Sequence, residues 1–474
     1  MTQFLLNQQP VAIDNLDPDL TVLDWLRLGQ RRTGTKEGCA TGDCGACTVV
    51  LGSLEAGELR YRSANACLLR VAQLAGKQLL TVEDLAEDGA LHPLQTALSC
   101  GHASQCGFCT PGITMSAFAL CHSGESASRE TLIDHLGGNL CRCTGYRPII
   151  DAVQPLLGQR VQDGHAARAP ETAARLAAMQ PDSGEPGRTL LPDSAAALAD
   201  CLLRYPDAGL LAGGTDLTLD AARAGRRHQR IVALQNVDEL RQLRRDGDRL
   251  EIGAAVTLTD LRHALRETIP SFSEMLSRFA SRQVRNIGTL GGNLASASPV
   301  GDCAPALLAL DARLRLRRGE VLREIPLAEF YTGYRQTRLE PGEFISHILL
   351  DEVSRAPNLR LWKVSKRRDD DISTVFAALN IHHEDGIIRR ARIAFGGMVA
   401  TPARARRCEA ALVGQPLDAA TFAAAGAALE ADFSPLSDVR ASAGYRRQVA
   451  KNLLRRYGLL LAGCAELEVT DYGR

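Results

Sequence analysis

Four cysteines near the start of the chain have the spacing of an iron–sulfur site. Cys39, Cys44 and Cys47 lie on one glycine-rich segment, and Cys67 follows twenty residues later. The pattern C-x4-C-x2-C with one distant cysteine is that of a plant-type [2Fe–2S] ferredoxin. Three thiolates on a tight loop can wrap the cluster while the fourth closes it from another segment. Structural zinc, the competing interpretation, usually uses two separated cysteine pairs, so the spacing favours iron–sulfur.

A second set of four cysteines lies between residues 106 and 143. Cys106 and Cys109 form a C-x2-C pair, and after thirty-one residues Cys141 and Cys143 form a C-x-C pair. Two pairs from separate segments can close around one cluster with four thiolate ligands. The sequence therefore predicts a second [2Fe–2S] site, and these eight cysteines are the candidate metal ligands.

Each of the later pairs is followed by signals that open a helix. Thr110 is a candidate N-cap with Pro111 at the first helical position, and Thr144 and Pro148 follow Cys143 in a similar way. Threonine caps and early prolines are typical of helix starts. The positive ends of two helix dipoles would stabilise an anionic cluster and its thiolates. We therefore expect a quasi-two-fold helical bundle around the second cluster.

The remaining six cysteines are expected to pack in the protein and not to bind metal. Free cysteine behaves as a small hydrophobic residue, and the cytosol keeps thiols reduced. Two of these cysteines lie on predicted helices near the second set, and four are scattered along the later chain: Cys100, Cys121, Cys201, Cys303, Cys408 and Cys464.

Two glycine-rich runs in the middle of the chain could bind a diphosphate. Leu210–Leu217 is predicted as a strand, a Gly-Gly turn and a helix start, where backbone N–H groups can approach phosphate oxygens. About eighty residues later, the run from Asn286 to Pro299 contains a second Gly-Gly pair. One such turn is a weak signal, but two make a phosphate clamp more plausible. No G-x-G-x-x-G follows a strand, which argues against a Rossmann site.

Periodicity and composition divide the chain into five segments. Residues 1–75 show an α+β pattern with a helix capped at Thr21, and residues 76–157 have helical spacing. Residues 158–189 are rich in Ala, Arg, Gly and Pro, which predicts a linker with a possible short helix. In residues 190–360 strands and helices are predicted to alternate, and the predicted strands include the runs LLAGG, IVALQNV, LEIGAAV and IGTLGGN. Residues 361–474 show strands followed by long Ala-rich helices.

The motifs together resemble the xanthine dehydrogenase/molybdenum hydroxylase family. The ferredoxin motif is followed by QCGFCTPG and NLCRCTGYRP, and then by a flavin region. This order is similar to that of the small subunit of a two-gene bacterial enzyme of the family. The resemblance implies an α+β multidomain chain: a β-grasp ferredoxin-like domain, a four-helix [2Fe–2S] bundle, a two-part α/β FAD-binding domain of the vanillyl-alcohol-oxidase/CO-dehydrogenase flavoprotein type, and an α+β C-terminal domain.

The resemblance also implies which residues contact FAD. The family's two glycine loops hold the diphosphate, Asp302 takes the place of an Asp that bonds the sugar portion, and Lys363 that of a Lys contacting FAD. Phe279 matches an aromatic near the flavin ring. An apolar flavin contact falls on Phe344 or Ile345. The implied cofactor-binding residues are Leu210, Leu211, Ala212, Gly213, Gly214, Thr215, Asp216, Leu217, Phe279, Thr289, Leu290, Gly291, Gly292, Asn293, Asp302, Phe344 and Lys363.

The implied activity is electron transfer within a xanthine dehydrogenase. A large partner subunit with a molybdenum cofactor would oxidise hypoxanthine or xanthine to urate, and electrons would pass through both clusters to FAD and then to NAD⁺. Gln105 resembles a residue that faces the molybdenum cofactor, and a dimer of heterodimers is expected from the family. No residue of this chain is nominated as catalytic. The alternatives are a subunit for aldehyde, CO or N-heterocycle oxidation, a standalone diaphorase-type carrier, or a zinc-stabilised binding module.

Bulk composition sets further limits. The 474 residues carry a formal net charge of zero and are 45% hydrophobic, so no electrostatic footprint indicates nucleic acid or an anionic membrane. No apolar run is long enough to span a bilayer, and the N-terminus lacks the features of a signal peptide. We therefore expect a cytoplasmic protein without nucleic-acid or membrane partners.

Overall fold

A computed structural model describes residues 1–157, 163–179 and 187–464 of the chain. The chain divides into two compact units. The first contains residues 1–239, Thr257–Asp260 and Ala280–Gly292, and the second contains Leu240–Val256, Leu261–Phe279 and the chain from Asn293 onward.

The first unit opens with a five-stranded mixed sheet in the order β2-β1-β5-β3-β4. Thr21 caps α1 as predicted, and the helix continues as one π-helical turn to Gly29. The middle strand β5 begins after residue 75, where the sequence predicted that the first domain ends. Because β5 pairs with β1 and β3, the sheet domain extends past that predicted boundary. The elements are β1 (Thr2–Leu6), β2 (Gln9–Ile13), α1 (Val22–Asp24), β3 (Thr48–Glu55), β4 (Glu58–Asn65) and β5 (Gln78–Leu80).

Four helices follow the sheet and form the predicted bundle: α2 (Pro93–Cys100), α3 (Thr110–Cys121), α4 (Arg129–Leu136) and α5 (Arg147–Leu157). Helix α3 is apolar on all sides, and its residues from Gly112 to Leu120 are all buried. A helix that is hydrophobic all round belongs in a core. It packs on the other bundle helices and on β3, which joins the bundle to the sheet.

The predicted linker contains a fourteen-residue helix, α6 (Gly164–Ala177). Asp163 caps this helix through the Ala166 N–H and also hydrogen-bonds to the Nε2 atoms of His92 (2.9 Å) and His122 (2.8 Å). The helix contacts β3 and β4, so this part of the segment is packed structure. The rest of the predicted linker, residues 158–162 and 180–186, lies outside the described residues.

A small parallel sheet in the order β6-β8-β7 completes the first unit. Its elements are β6 (Thr189–Leu190), α7 (Ala195–Arg204), β7 (Gly209–Leu211), α8 (Thr215–Ala224) and β8 (Ile231–Ala233). The returning segment Ala280–Gly292 packs on this unit and carries the second glycine run.

The second unit contains two antiparallel sheets, β12-β11-β15-β10-β9 and β16-β17-β18-β19, and the hairpin β13-β14. The last three helices of the described chain pack together beside the sheet β16-β17-β18-β19, as the Ala-rich pattern predicts. The strands and helices that follow β8 along the chain are β9 (Leu243–Asp246), β10 (Arg249–Gly253), α9 (Leu258–Ala264), α10 (Pro270–Ser277), α11 (Arg282–Arg285), α12 (Leu290–Ala295), α13 (Cys303–Leu308), β11 (Arg313–Arg318), β12 (Val321–Pro326), β13 (Tyr331–Gly333), β14 (Gln336–Thr337), β15 (Phe344–Leu350), β16 (Arg360–Val364), β17 (Val375–Glu384), β18 (Ile387–Gly396), β19 (Ala403–Arg404), α14 (Arg406–Leu412), α15 (Ala419–Asp432) and α16 (Ala443–Leu461).

The run IGTLGGN, which was predicted as a strand, is not a strand in the structure. It forms a short loop and the start of α12, where the Thr289 hydroxyl accepts the backbone N–H of Gly292 at 3.1 Å. No helix in the described ranges is long and apolar enough to cross a bilayer.

Candidate functional site

The first cysteine set surrounds the loop that leads into β3. The Sγ atoms of Cys47 and Cys67 lie 3.4 Å apart in the core. The Sγ of Cys39 accepts the backbone N–H groups of Thr41 (3.4 Å) and Cys44 (3.3 Å). Backbone donors aimed at sulfur are what an anionic cluster needs from its loop.

The same contacts change the ionisation of these thiols. Burial opposes ionisation of Cys39, but the hydroxyl of Thr41 and the N–H groups of Thr41 and Cys44 outweigh it and lower the pKa of Cys39. The hydrogen bond with Cys67 is the main cause of the lowered pKa of Cys47, and the same contact raises the pKa of Cys67. Since the thiolate is the form that binds metal, this loop favours the ligand form at Cys39 and Cys47.

The cysteines of the second set differ in how exposed they are at the surface of the bundle. Cys141 is buried, whereas Cys106 and Cys143 are exposed. The Cys141 Sγ hydrogen-bonds to the Thr144 hydroxyl at 3.1 Å. Burial is the main cause that raises the pKa of Cys109 to about 12, and a hydrogen bond with the Cys141 thiol raises it further.

The helix starts differ in detail from the prediction. Cys109 itself is the N-cap residue of α3, and Thr110 is the first helical residue. Helix α5 begins at Arg147, and Tyr146 before it has a positive φ of 69°. The Thr144 hydroxyl accepts the Tyr146 N–H and therefore shapes the turn ahead of the helix. The first pair therefore ends at the cap of α3, and the second pair precedes α5 by a short turn.

The eight sulfurs interact in pairs. No group of three or more histidine, cysteine, aspartate or glutamate side chains within the described ranges is placed to hold one metal ion. A diiron cluster takes two thiolates on each iron, so sulfurs that pair two by two fit its ligand pattern. The interacting pairs are Cys39 with Cys44, Cys47 with Cys67, Cys106 with Cys143, and Cys109 with Cys141.

The six other cysteines follow the packing prediction only in part. Cys303 and Cys408 are buried, and Cys121 and Cys201 are partly buried. Cys100 and Cys464 are exposed, so for these two the expectation of a packed hydrophobic residue is wrong. Cys100 ends α2 at a turn that faces outward, which periodicity alone does not reveal.

The two glycine loops of the first unit touch each other. A Cβ on Gly213 would lie 2.2 Å from the carbonyl oxygen of Ile287, so only glycine allows this approach. Gly214 has a φ of 77°, and Thr215 then begins α8, which presents the N–H groups of a helix start. The run Leu210–Leu217 and the segment from Thr289 to Gly292 thus form one double loop suited to a diphosphate.

Gln73 supports the first loop and was not identified from the sequence. Its Nε2 donates to the carbonyl oxygens of Ala212 (3.1 Å) and Gly213 (3.2 Å). It lies six residues after Cys67, in a short helical turn with no motif around it. No local pattern could have revealed that this amide reaches a loop about 140 residues away.

The other predicted flavin residues belong to the second unit. Asp302 and Lys363 are both buried, and the Lys363 Nζ lies 2.6 Å from the Asp302 carboxylate. Ser373, which the sequence did not indicate, donates to Asp302 (2.6 Å) and accepts from Lys363 (2.9 Å). Phe344 and Ile345 are both buried in β15, and Phe279 is half-buried after α10.

Asn293 supplies an observation that fits a ligand. Its Oδ1 is buried and has no hydrogen-bond partner within the described chain. An unpaired buried amide oxygen is costly, so it indicates a missing donor. The hydroxyl groups of a nucleotide are donors of this kind, so the orphaned oxygen fits a nucleotide bound at this position.

Family models match the chain in four consecutive ranges. They are the 2Fe-2S iron-sulfur cluster binding domain (residues 4–72), the [2Fe-2S] binding domain (81–154), the FAD binding domain in molybdopterin dehydrogenase (185–350) and the CO dehydrogenase flavoprotein C-terminal domain (360–460). A chain of the crystallised Cu,Mo-CO dehydrogenase is 30% identical, with a TM-score of 0.53, over 97% of that chain and 58% of this one.

The chain belongs to the molybdenum hydroxylase family. It carries two [2Fe–2S] domains and an FAD domain, which confirms the predicted iron–sulfur and flavin cofactors and the predicted fold class. Quinoline 2-oxidoreductase from Pseudomonas putida 86 is also similar, with 28% identity and a TM-score of 0.53 over 98% of that chain and 59% of this one.

Curated relatives of this molybdenum hydroxylase chain include xanthine dehydrogenases. That of Emericella nidulans is 33% identical over 96% of this chain and 38% of its own length. That of Drosophila pseudoobscura pseudoobscura is 33% identical over 88% of this chain and 36% of its own length. The chain therefore spans a little over a third of the length of these relatives.

Proposed function

We propose that the chain is the FAD and iron–sulfur subunit of a bacterial-type xanthine dehydrogenase. It would receive electrons from a large subunit that holds a molybdenum cofactor and pass them to NAD⁺, in the oxidation of hypoxanthine or xanthine to urate. Xanthine dehydrogenases match up to 96% of this chain, whereas the chains of CO dehydrogenase and quinoline 2-oxidoreductase cover 58% and 59% of it. This difference supports the xanthine assignment.

The observation that carries the proposal is the order of the sites in the first unit. The exposed thiols Cys106 and Cys143 mark the outer end, and the first set lies deeper. Beyond Cys67, the Leu68 carbonyl accepts the Thr218 hydroxyl on α8 at 3.0 Å. The second cysteine set is therefore exposed where a partner can bind, and the first set lies next to the flavin loops.

The residues have separate proposed roles. The eight paired cysteines hold two [2Fe–2S] clusters, and the glycine loops, Asn293, Asp302 and Lys363 hold FAD. When bound, the clusters exchange single electrons and FAD exchanges one or two. The chain itself fixes the positions of these groups and excludes water from Cys47 and Cys67, which are buried. No residue is assigned as a general acid or base.

A surface around the second cysteine set is proposed to bind the molybdenum subunit. It consists of Gln105, Phe108, Leu140 and Tyr146, all exposed and all next to or near a ligand cysteine in sequence. Phe108 is 47% exposed and Leu140 44% exposed, which is unusual for large apolar side chains beside a metal site. Exposed apolar patches mark partner surfaces. A dimer of heterodimers in the cytoplasm is proposed for the assembly.

Replacing Phe108 with aspartate should weaken this association. A central aromatic contact is worth about 2 kcal/mol or more, so we expect the dissociation constant to rise roughly 30-fold. Leu436→Asp is the matched control, because Leu436 is 81% exposed but belongs to the second unit. Binding of each variant to the large subunit can be measured by titration. Equal affinity of Phe108→Asp and the parent would exclude this surface.

Co-purification tests the assignment as a whole. The tagged chain, isolated from its native host, should bring down a molybdopterin-containing protein, and the complex should reduce NAD⁺ when xanthine is added. A chain that isolates alone and shows no xanthine-dependent reduction of NAD⁺ would contradict the proposal. Reduction of the flavin by an aldehyde, CO or quinoline instead would support the second candidate, another molybdenum hydroxylase, which the similarity to the CO and quinoline enzymes favours.

A further inference from the structure

Helix α11 carries an unusual set of buried polar side chains. Arg282, Gln283 and Arg285 of this single turn, together with Asn286 after it, are each at most 8% exposed. The turn leads directly into the glycine run of the flavin loop. Buried charges and amides are costly unless they are paired, so the contacts of this turn must be specific.

The two arginines fasten the turn to the bundle. Arg282 pairs with Glu125 and with Asp134, the latter at 2.9 Å, and Arg285 pairs with Asp134 at 2.7 Å. Asn286 donates to the carbonyl oxygen of Ser63 on β4 at 2.8 Å. One turn of helix therefore binds both iron–sulfur domains.

Gln283 lies between these anchors and reaches the loop of the second cluster. Its Nε2 donates to the Ser116 hydroxyl and to the Asn139 Oδ1, each at 2.9 Å. Asn139 in turn donates from Nδ2 to the Gly45 carbonyl at 3.0 Å and to the Thr48 hydroxyl at 3.1 Å. Gly45 lies between Cys44 and Cys47, and Asn139 lies two residues before Cys141.

The backbones of the same segments approach closely. The Leu140 N–H donates to the Cys44 carbonyl at 2.9 Å. A Cβ on Gly45, whose φ is 66°, would lie 2.2 Å from the carbonyl oxygen of Gly138. A Cβ on Gly138 would lie 2.3 Å from the Cβ of Ser281. Three segments therefore meet closely around Gly45 and Gly138, and the amides of Gln283 and Asn139 join them.

We propose that Gln283 is a positioning residue that fixes the separation of the two [2Fe–2S] clusters and holds the flavin loop in register with them. It acts through Asn139, whose side chain connects one cluster loop to the other. Because each loop carries ligand cysteines, a shift of the Asn139 amide moves both clusters. The inference depends on the two clusters and not on which substrate the partner oxidises.

Gln283→Ala tests this in the complete chain with both clusters present. Removal of the amide leaves the Ser116 hydroxyl as the remaining donor to the Asn139 Oδ1 among the described residues. We expect a changed magnetic splitting between the two cluster signals in the electron paramagnetic resonance spectrum of the fully reduced protein. Electron delivery from the second cluster to FAD should slow about tenfold or more, as is typical when a residue supporting a metal ligand is lost.

Three further variants make the test specific. Ser116→Ala removes the other donor to Asn139 and should change the splitting less. Gln283→Met keeps the approximate size of the side chain and removes its donor without burying a charge, so it replaces Gln283→Ala if that variant does not fold. Asn380→Ala is the control, because its Nδ2 makes one bond to the Ala309 carbonyl in the second unit, and it should leave the splitting unchanged.

Unchanged splitting in both Gln283 variants, with full iron content, would overturn the inference. A lower melting temperature with parental splitting would also overturn it, because Gln283 would then serve stability alone. Since splitting is measured on this chain with dithionite as reductant, the outcome does not depend on xanthine or on the partner subunit.

Discussion

Serine in place of Cys143 is expected to remove the signal of the second cluster from the electron paramagnetic resonance spectrum of the reduced protein. The signal of the first cluster and the flavin absorbance should remain. Cys143 pairs with Cys106 at the exposed side of the bundle, and a hydroxyl is a poor ligand for an iron–sulfur cluster, which selects soft thiolates. Iron content should fall from about four to about two atoms per chain.

The chain offers a close control for this experiment. Cys100 is exposed, lies in the same domain and is only six residues before Cys106. Cys100→Ser should therefore retain both signals and full iron. If Cys143→Ser still gives two distinct iron–sulfur species at full intensity, the assignment of the second ligand set is wrong.

Selective loss is expected because the two sets draw on different hydrophobic cores, although Asn139 joins their loops. Cys47 and Cys67 close the first set within the core of the sheet domain, where they are surrounded by residues such as Val49 and Leu69. Cys141 belongs to the core of the bundle. Each cluster is thus supported by its own hydrophobic core, and loss of one ligand set need not unfold the other.

The cysteine sets could be predicted from the sequence because metal coordination imposes local spacing. Three of the four ligands of the first set lie within nine residues, and each pair of the second set lies within four. The glycine loops were predictable for a similar reason, since close backbone approach requires residues without side chains, as at Gly213. The exact helix starts were missed by a residue or more, because Thr110 and Thr144 satisfy the pattern of a cap without acting as one.

The contacts of α11 could not be predicted in this way. Arginine, glutamine and asparagine in a short segment usually indicate a solvated surface. Here Gln283 finds its partners 144 and 167 residues away in the chain, and such pairing leaves no local trace. Ser373 and Gln73 were missed for the same reason.

The segment around α6 was predicted as a linker with a possible short helix, and the structure contains that helix. Composition did not reveal how the helix packs: His165 and Leu176 are buried, and Asp163 hydrogen-bonds to two bundle histidines. Hydrogen bonds from His122 and His92 hold the pKa of Asp163 far below its usual range, although burial opposes this. The overall composition of such a helix reflects its many exposed residues. It does not reveal the few residues that pack against the rest of the protein.

Substitution of Asp302 by alanine is expected to have the largest effect on stability in the second unit. The Asp302 and Lys363 side chains are only 2% and 3% exposed, and they share Ser373. Loss of the carboxylate leaves a buried ammonium group without its counter-charge, which costs about 3–5 kcal/mol. Urea unfolding followed by tryptophan fluorescence measures this loss. Trp362 lies next to Lys363, and Trp25→Phe in the background removes the only other tryptophan.

A double variant separates stability from cofactor binding. Replacing Asp302 with leucine and Lys363 with methionine removes both charges, and apolar replacements of a buried pair are often neutral or stabilising. We therefore expect the urea midpoint of the double variant to recover most of the loss seen in Asp302→Ala. FAD content should not recover, because the proposed polar contacts with the cofactor are absent from both variants. A double variant that regains stability and retains FAD at one per chain would show that the pair serves the fold, and that Asp302 and Lys363 do not hold the flavin nucleotide.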